Sequence, residues 1–178
     1  MRGGYRSGLM AGIAGTLAAR ALLPRLLRLR FNHDVRRLNA GEHEPLLASY
    51  AQDAVLRFND GPHRWAGEHR GKAQIDRFLR NFTAAGIQGE IRELWIAGPP
   101  WALTMVVRFD DHANGPDGQR IYANRTVLVM RTRWGKIVEH DDFYEDTQSI
   151  LALEQRLREL DIAPVDAVPT ALAEQPRR

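Results

Sequence analysis

Apolar and polar residues alternate along segment 121–146, IYANRTVLVMRTRWGKIVEHDDFYED, and this pattern predicts two long strands joined by a tight turn at residues 133–136. Successive side chains of a strand point to opposite faces. One face of the second strand is therefore predicted to carry Val138, His140, Asp142 and Tyr144. The other face is predicted to carry Ile137, Glu139, Asp141 and Phe143. At most one of the two adjacent aspartates can then face a core.

Other segments show the period of helices. Segment 71–82 places Ile75, Phe78, Leu79 and Phe82 on one apolar stripe, and further helices are predicted over residues 25–39, 44–50 and 147–160. Strands are predicted over residues 54–58, 87–97, 102–110, 120–132 and 136–145. Runs of strands after helices indicate an α+β fold, with helices packed on one face of an antiparallel sheet. A strongly curved sheet of this kind forms a cone with a pocket between sheet and helices.

Length and charge divide the chain of 178 residues into a basic extension (1–24), one domain (25–160) and a flexible tail (161–178). Residues 1–37 carry eight arginines and one acidic residue, so they hold +7, whereas the remainder holds −4 of the net +3. Nucleic-acid binding by the domain is therefore not supported. The absence of cysteine excludes disulfides, thiolate metal sites and cysteine nucleophiles, and it fits a cytoplasmic location.

The N-terminal extension leaves three interpretations open. Its apolar run, residues 9–19, is too short to cross a bilayer, which needs about 20 apolar residues. Residues 1–30 could form a simple extension, a basic amphipathic helix that contacts a membrane surface or a partner, or a cleaved signal. The second interpretation would make the protein membrane-peripheral.

Three motifs occur in a fixed order: LNAGEHEPLLASYAQDAV (38–55), GKAQIDRF (71–78) and GKIVEHDDFY (135–144). Together they resemble the nuclear-transport-factor-2-like (NTF2-like) superfamily, in the branch of the SnoaL-like polyketide cyclases, ketosteroid isomerase and limonene epoxide hydrolase. The resemblance covers about residues 26–160. It implies a cystatin-like α+β barrel with helices on the concave face of its sheet. It also implies an apolar small-molecule ligand, chemistry without a cofactor, and a homodimer formed through the sheet.

The candidate catalytic residues are Asp142, His140, Arg108 and Asp110. The position of Asp142 resembles that of the family's pocket carboxylate. Burial raises the pKa of a carboxyl group, so an inward aspartate can act as a general acid or base. Arg108 and Asp110 share a strand face and resemble the Arg-x-Asp pair of the epoxide hydrolase. The alternatives are an ion-paired structural role for Asp142, a solvent-facing pair at residues 108 and 110, and a wall position for His140.

The predicted ligand contacts are Asn59, Tyr144, Phe58 and Trp65. Asn59 resembles the water-positioning asparagine of the epoxide hydrolase, but Arg57 stands where that enzyme has a tyrosine. The first domain helix lacks the tyrosine of ketosteroid isomerase, which weakens the isomerase interpretation. Histidines are scattered along the chain, so no metal site is predicted.

Two hypotheses follow from these residues. The first is a cofactor-free isomerase, cyclase or epoxide hydrolase that acts on an apolar ligand. The second is a non-catalytic binding or assembly module, with the basic N-terminal arm docking a membrane or partner. The position of Asp142 relative to Arg108 and Asp110 is expected to distinguish them.

Overall fold

The computed structural model describes residues 24–165, which fall into two compact units divided between His33 and Asp34. In the first unit, residues 24–33 belong to helix α1 (24–39), and Leu26 and Leu29 are exposed to solvent. Most of the predicted membrane-contact segment, residues 1–23, lies outside the described residues, as do residues 166–178. The boundaries proposed for the extension and the tail therefore stay predictions.

The second unit has an α+β fold, as predicted. Its helices are α2 (Glu44–Ser49), α3 (Gly71–Ala84) and α4 (Thr147–Glu159), and its strands are β1 (Tyr50–Phe58), β2 (Gly67–Arg70), β3 (Gln88–Ala97), β4 (Thr104–Asn114), β5 (Arg120–Arg133) and β6 (Lys136–Tyr144). Within the described residues, the six strands form one curved, unclosed sheet in the order β2-β1-β6-β5-β4-β3. Neighbouring strands are antiparallel, except that β1 and β6 run parallel. The hairpin pattern could not reveal this pairing, because the two strands lie far apart in the chain.

The two faces of the sheet differ in composition. The inner face carries buried apolar side chains, with Met105, Val107 and Phe109 on β4 and Leu128 and Met130 on β5. The apolar stripes of α3 and α4 are also buried, and α3 contacts β1 and β2 whereas α4 contacts β5. The outer face carries the intervening residues, which mix charged, polar and apolar side chains. The alternation of β4 thus separates a core from a solvent-facing surface.

The β5–β6 hairpin contains an irregularity that the sequence did not indicate. Trp134 and Gly135 have φ of 50° and 77°, which matches a two-residue turn with both residues in the left-handed region. The register shifts between Arg131 and Thr132, and Ile137 is buried with a relative exposure of 4%. The prediction that Ile137 shares the outer face with Glu139 is therefore wrong, because a bulge breaks the simple alternation there.

Candidate functional site

The site is built first on β6, which brings His140, Asp142 and Tyr144 to the inner face. The Asp142 Oδ1 atom lies 2.7 Å from His140 Nε2, and both side chains are less than one-tenth exposed. Their angle is poor for a hydrogen bond, since both atoms are without a hydrogen-bond partner among residues 24–165. They therefore form a close buried pair.

Tyr50, the first residue of β1, fixes the other side of the imidazole. Its hydroxyl oxygen lies 2.5 Å from His140 Nδ1. Burial, together with the charge of Asp142, raises the pKa of Tyr50 well above its ordinary value. The phenol therefore keeps its proton, and its hydroxyl shares a hydrogen bond with His140 Nδ1 whose donor is set by the tautomer of the imidazole. Sequence reasoning missed this contact because parallel β1–β6 pairing creates it.

A second buried carboxylate, Asp111, lies on the inner face of β4 and is only 2% exposed. Tyr144 donates a hydrogen bond to its Oδ2 atom at 3.0 Å, and Tyr122 donates to the same atom at 3.4 Å. Burial raises the pKa of Asp111 to about 7, with the nearby charge of Asp142 acting in the same direction and the hydrogen bonds of Tyr144 and Tyr122 opposing it. Asp111 thus exchanges its proton near neutral pH.

The candidate catalytic residues Arg108 and Asp110 do not converge with Asp142, and the alternative of a solvent-facing pair describes them. Both residues lie on the outer face, where Arg108 Nη1 is 2.9 Å from Glu93 and Asp110 Oδ2 is 2.7 Å from Arg92. The strand continues to Asn114 instead of ending at residue 110, so its apolar alternation extends to the next aspartate. The buried set consists of Met105, Val107, Phe109, Asp111 and Ala113. This alternation was a signal in the sequence that could have identified Asp111.

The four predicted ligand contacts form one continuous group around Phe58. The Phe58 ring lies 4.8 Å from the Tyr144 ring and 5.5 Å from the His63 ring, centroid to centroid. Trp65, which is 1% exposed, lies 6.2 Å from the His63 ring. Asn59 follows Phe58 directly, and both polar atoms of its side chain are buried. An aromatic row therefore leads from the loop after β1 to Tyr144 and Asp111.

Within residues 24–165, no group of three or more His, Asp or Glu side chains is arranged to hold a metal ion. In that same part of the chain, no helix combines the length and the hydropathy needed to cross a membrane.

The chain belongs to the SnoaL-like domain family of the NTF2-like superfamily. The sequence model of that family matches residues 31–140, which is more than half of the chain. No curated protein matches the chain.

Several solved structures share the fold. An NTF2-like protein of unknown function from Burkholderia pseudomallei is 18% identical with a TM-score of 0.57, over 71% of this chain and 95% of that one. SalBIII, an epoxide hydrolase/cyclase-like enzyme in pyran ring formation in salinomycin, is 14% identical with a TM-score of 0.56, over 71% and 95% of the two chains. TerC, co-crystallised with polyporic acid, is 17% identical with a TM-score of 0.55 over the same shares.

Proposed function

We propose that this protein binds an apolar small molecule at the inner face of the sheet and catalyses its isomerisation, cyclisation or epoxide opening by acid–base chemistry without a cofactor. The observation that carries the proposal is the presence of two buried carboxylates, Asp111 and Asp142, on the same face. Each has a close polar partner: phenols at Asp111 and an imidazole at Asp142. Enzymes place titratable groups in such environments to perform proton transfer near neutral pH.

The two carboxylates take different roles in this proposal. Asp142, beside His140 Nε2, is the base that accepts a proton from the substrate. Asp111, with a pKa of about 7, is the acid that donates a proton to the developing oxygen anion. Tyr144 and Tyr122 stay protonated, because burial raises the pKa of each phenol, and they stabilise the charge left on Asp111. Tyr50 is a positioning residue, since it reaches Asp142 only through His140.

A second candidate function is a non-catalytic ligand-binding module of the same fold. One observation favours it: the pair that faces inward on β4 is Phe109 and Asp111, so the arginine of the Arg-x-Asp pattern is missing from the inner face. Without that arginine, the epoxide-hydrolase type of chemistry is less well supported than isomerisation or cyclisation. The homodimer through the sheet, the cytoplasmic location and the membrane contact of residues 1–30 stay predictions under either function.

The test is a turnover screen of wild type, Asp142→Asn and Asp141→Asn on epoxides, enone steroids and cyclisation substrates. Asparagine preserves the shape of aspartate and removes the ionisable group. We expect Asp142→Asn to lower kcat/KM at least about 100-fold, as the loss of a general base does. Asp141→Asn is the matched control, because Asp141 lies on the outer face and pairs with Arg57 at 3.0 Å.

The screen separates the two candidate functions. Turnover that survives in Asp142→Asn at the wild-type rate would contradict the role proposed for Asp142. Ligand binding without turnover in all three proteins would favour the binding module. A pH profile of kcat/KM with a limb near pH 7 that disappears in Asp111→Asn would support the acid role of Asp111.

A further inference from the structure

Residues 24–33 of helix α1 carry apolar side chains that stay exposed to water. Leu26 and Leu29 are 61% and 65% exposed, whereas Phe31 in the same compact unit is 8% exposed. A helix turns by about 100° per residue, so the midpoint of the two leucines lies about 170° around the helix from Phe31. One side of this helical segment is therefore buried, and the opposite side presents two leucines to solvent.

Arginines flank the exposed leucines on both sides. Segment 24–30, PRLLRLR, contains three arginines and no acidic residue. Arg25 lies about 40° from Leu29 around the helix. Arg30 lies about 40° from Leu26 on the other side. Both arginines are exposed. Helices that lie in a membrane interface show this pattern, because long basic side chains reach the headgroups while apolar side chains enter the acyl boundary.

The charge of the chain identifies the kind of surface that this segment fits. Residues 1–37 hold +7, from eight arginines and one acidic residue. The remainder holds −4, from 17 lysines and arginines and 21 acidic residues. An anionic lipid surface therefore attracts the N-terminal region and has no net attraction for the rest of the chain. Lipid phosphates also match the fork of donors that an arginine side chain presents.

We propose that residues 24–30 of α1 bind an anionic lipid surface. Leu26 and Leu29 enter the boundary between headgroups and acyl chains, and Arg25 and Arg30 contact lipid phosphates. The inference goes beyond the proposed function and does not depend on it. Its consequence is the place where the protein works: apolar small molecules concentrate in lipid, so a protein held at a lipid surface meets them at a higher concentration than in water.

Sedimentation of the full chain with vesicles tests the proposal. Vesicles of phosphatidylcholine are compared with vesicles that contain phosphatidylglycerol as well, at about 0.1 M salt. We expect wild type to bind the anionic vesicles at least about tenfold more tightly than the neutral ones, because several arginines act near the anionic surface. We expect this difference to disappear at about 1 M salt, where charges are screened within about 3 Å.

A first pair of variants tests the apolar contact. We expect Leu26→Gln/Leu29→Gln to weaken binding to the anionic vesicles at least about tenfold, because glutamine keeps a high helix propensity and removes the side chains that enter the lipid. Trp134→Asn is the matched control, because it removes an exposed apolar side chain from the other compact unit. It should bind like wild type. Since both leucines are exposed, the double variant should also keep the Tm of wild type.

A second pair of variants tests the charged contact. We expect Arg25→Gln/Arg30→Gln to weaken binding to the anionic vesicles at least about tenfold. Arg131→Gln/Arg133→Gln is the matched control, because it removes the same charge from two exposed side chains of the other unit. It should bind within about twofold of wild type, since charges beyond about 10 Å from the surface are screened.

The absence of cysteine from the chain allows a direct measurement of insertion. Leu26→Cys carries a single environment-sensitive fluorophore, and Arg133→Cys carries the same fluorophore in the other unit. We expect the emission of the first protein to shift to the blue and to increase when anionic vesicles are added. The emission of the second protein should not change, because its label stays in water.

Several results would overturn the proposal. These are the absence of binding to anionic vesicles, equal binding to both kinds of vesicle, wild-type binding in either N-terminal double variant, equal losses in a variant and its control, a fluorophore at position 26 that stays in water on bound protein, and a clear fall in the Tm of the leucine variant. Two other occupants have their own signatures. A wild-type dimer that becomes a monomer in Leu26→Gln/Leu29→Gln would assign the leucines to a second copy of the chain. Binding to polyglutamate without binding to anionic vesicles would assign the segment to an acidic protein.

Discussion

Aspartates lie on both faces of the sheet, but their surroundings differ. Asp110 and Asp141 lie on the outer face, where Arg92 and Arg57 pair with them in partly exposed ion pairs. Their chain neighbours Asp111 and Asp142 lie on the inner face, where their hydrogen-bonding and ion-pairing partners are Tyr144, Tyr122 and His140. One step along a strand therefore changes the role that a carboxylate can take.

Charge compensation accounts for the difference. Outer ion pairs such as Arg108–Glu93 are screened by water, and such pairs contribute less than about 1 kcal/mol each to stability. Among residues 24–165 no arginine is paired with Asp111, and burial disfavours the charged form of its carboxyl group. The outer-face pairs are thus expected to tolerate substitution, whereas the inner face keeps Asp111, whose pKa is raised to about 7.

The largest expected effect compares Asp111→Asn with Asp110→Asn. The pKa of Asp111 is raised in the folded state from 3.8 to about 7, so its stabilising contribution is complete below pH 3.8 and is lost as pH rises through 7. The change in the free energy of unfolding across this range is about 4 kcal/mol, since one pKa unit corresponds to about 1.4 kcal/mol. We expect Asp111→Asn to remove most of this pH dependence.

Urea unfolding at several values between pH 4 and pH 8 measures this effect. Asp110→Asn is the control, since it removes an outer-face carboxylate that is paired with Arg92. It should retain the wild-type slope of stability against pH. Equal slopes for wild type and Asp111→Asn would contradict the assignment of a raised pKa to the inner carboxylate.

The next effect compares a buried ion pair with an exposed one. Burial alone would raise the pKa of Glu154, but the hydrogen bonds and charge of Arg64, assisted by Arg158, lower it below its ordinary value. Glu154→Gln leaves Arg64 buried with a neutral partner, and we expect a loss of about 3 kcal/mol at pH 7. This loss should shrink at low pH, because the contribution of a lowered carboxyl pKa disappears as pH falls through it.

Glu93→Gln is the matched comparison, because its partner Arg108 is 44% exposed. We expect a change below about 1 kcal/mol in the same denaturation experiment. Similar losses for the two variants would show that the buried pair Arg64–Glu154 contributes no more to stability than an exposed outer-face pair.

The smallest effect concerns the exposed turn between β5 and β6. Trp134 adopts a φ of 50°, and the left-handed region is unfavourable for most residues but tolerated by asparagine. Because Trp134 is 79% exposed, its replacement removes little buried surface. Trp134→Asn creates the preferred Asn-Gly turn, and we expect a gain of about 0.5 kcal/mol, measured as a rise in Tm. A fall in Tm would indicate that the indole makes a stabilising contact.

The fold was largely accessible from local patterns. Helix α3 begins at Gly71, as predicted. Helix α4 begins at Thr147, directly after Asp146, whose side chain accepts hydrogen bonds from two backbone N–H groups. Alternation along β6 also placed His140, Asp142 and Tyr144 on one face. At β4 the predicted strand ends at residue 110, whereas Asp111 and Ala113 continue the buried alternation of the strand to Asn114.

The sequence by itself therefore determined the types of the main elements, the family and the side of β6 on which Asp142 lies, because these depend on residues close together in the chain. The tertiary structure decided which groups meet. The parallel pairing of β1 with β6 brings Tyr50 to His140. The register of the sheet brings Asp111 on β4 to Tyr144 on β6. The ion pair between Arg64 and Glu154 holds the loop between β1 and β2 against α4. These contacts join residues 33 to 90 positions apart, and such proximity arises from sheet register and packing, which no local pattern specifies.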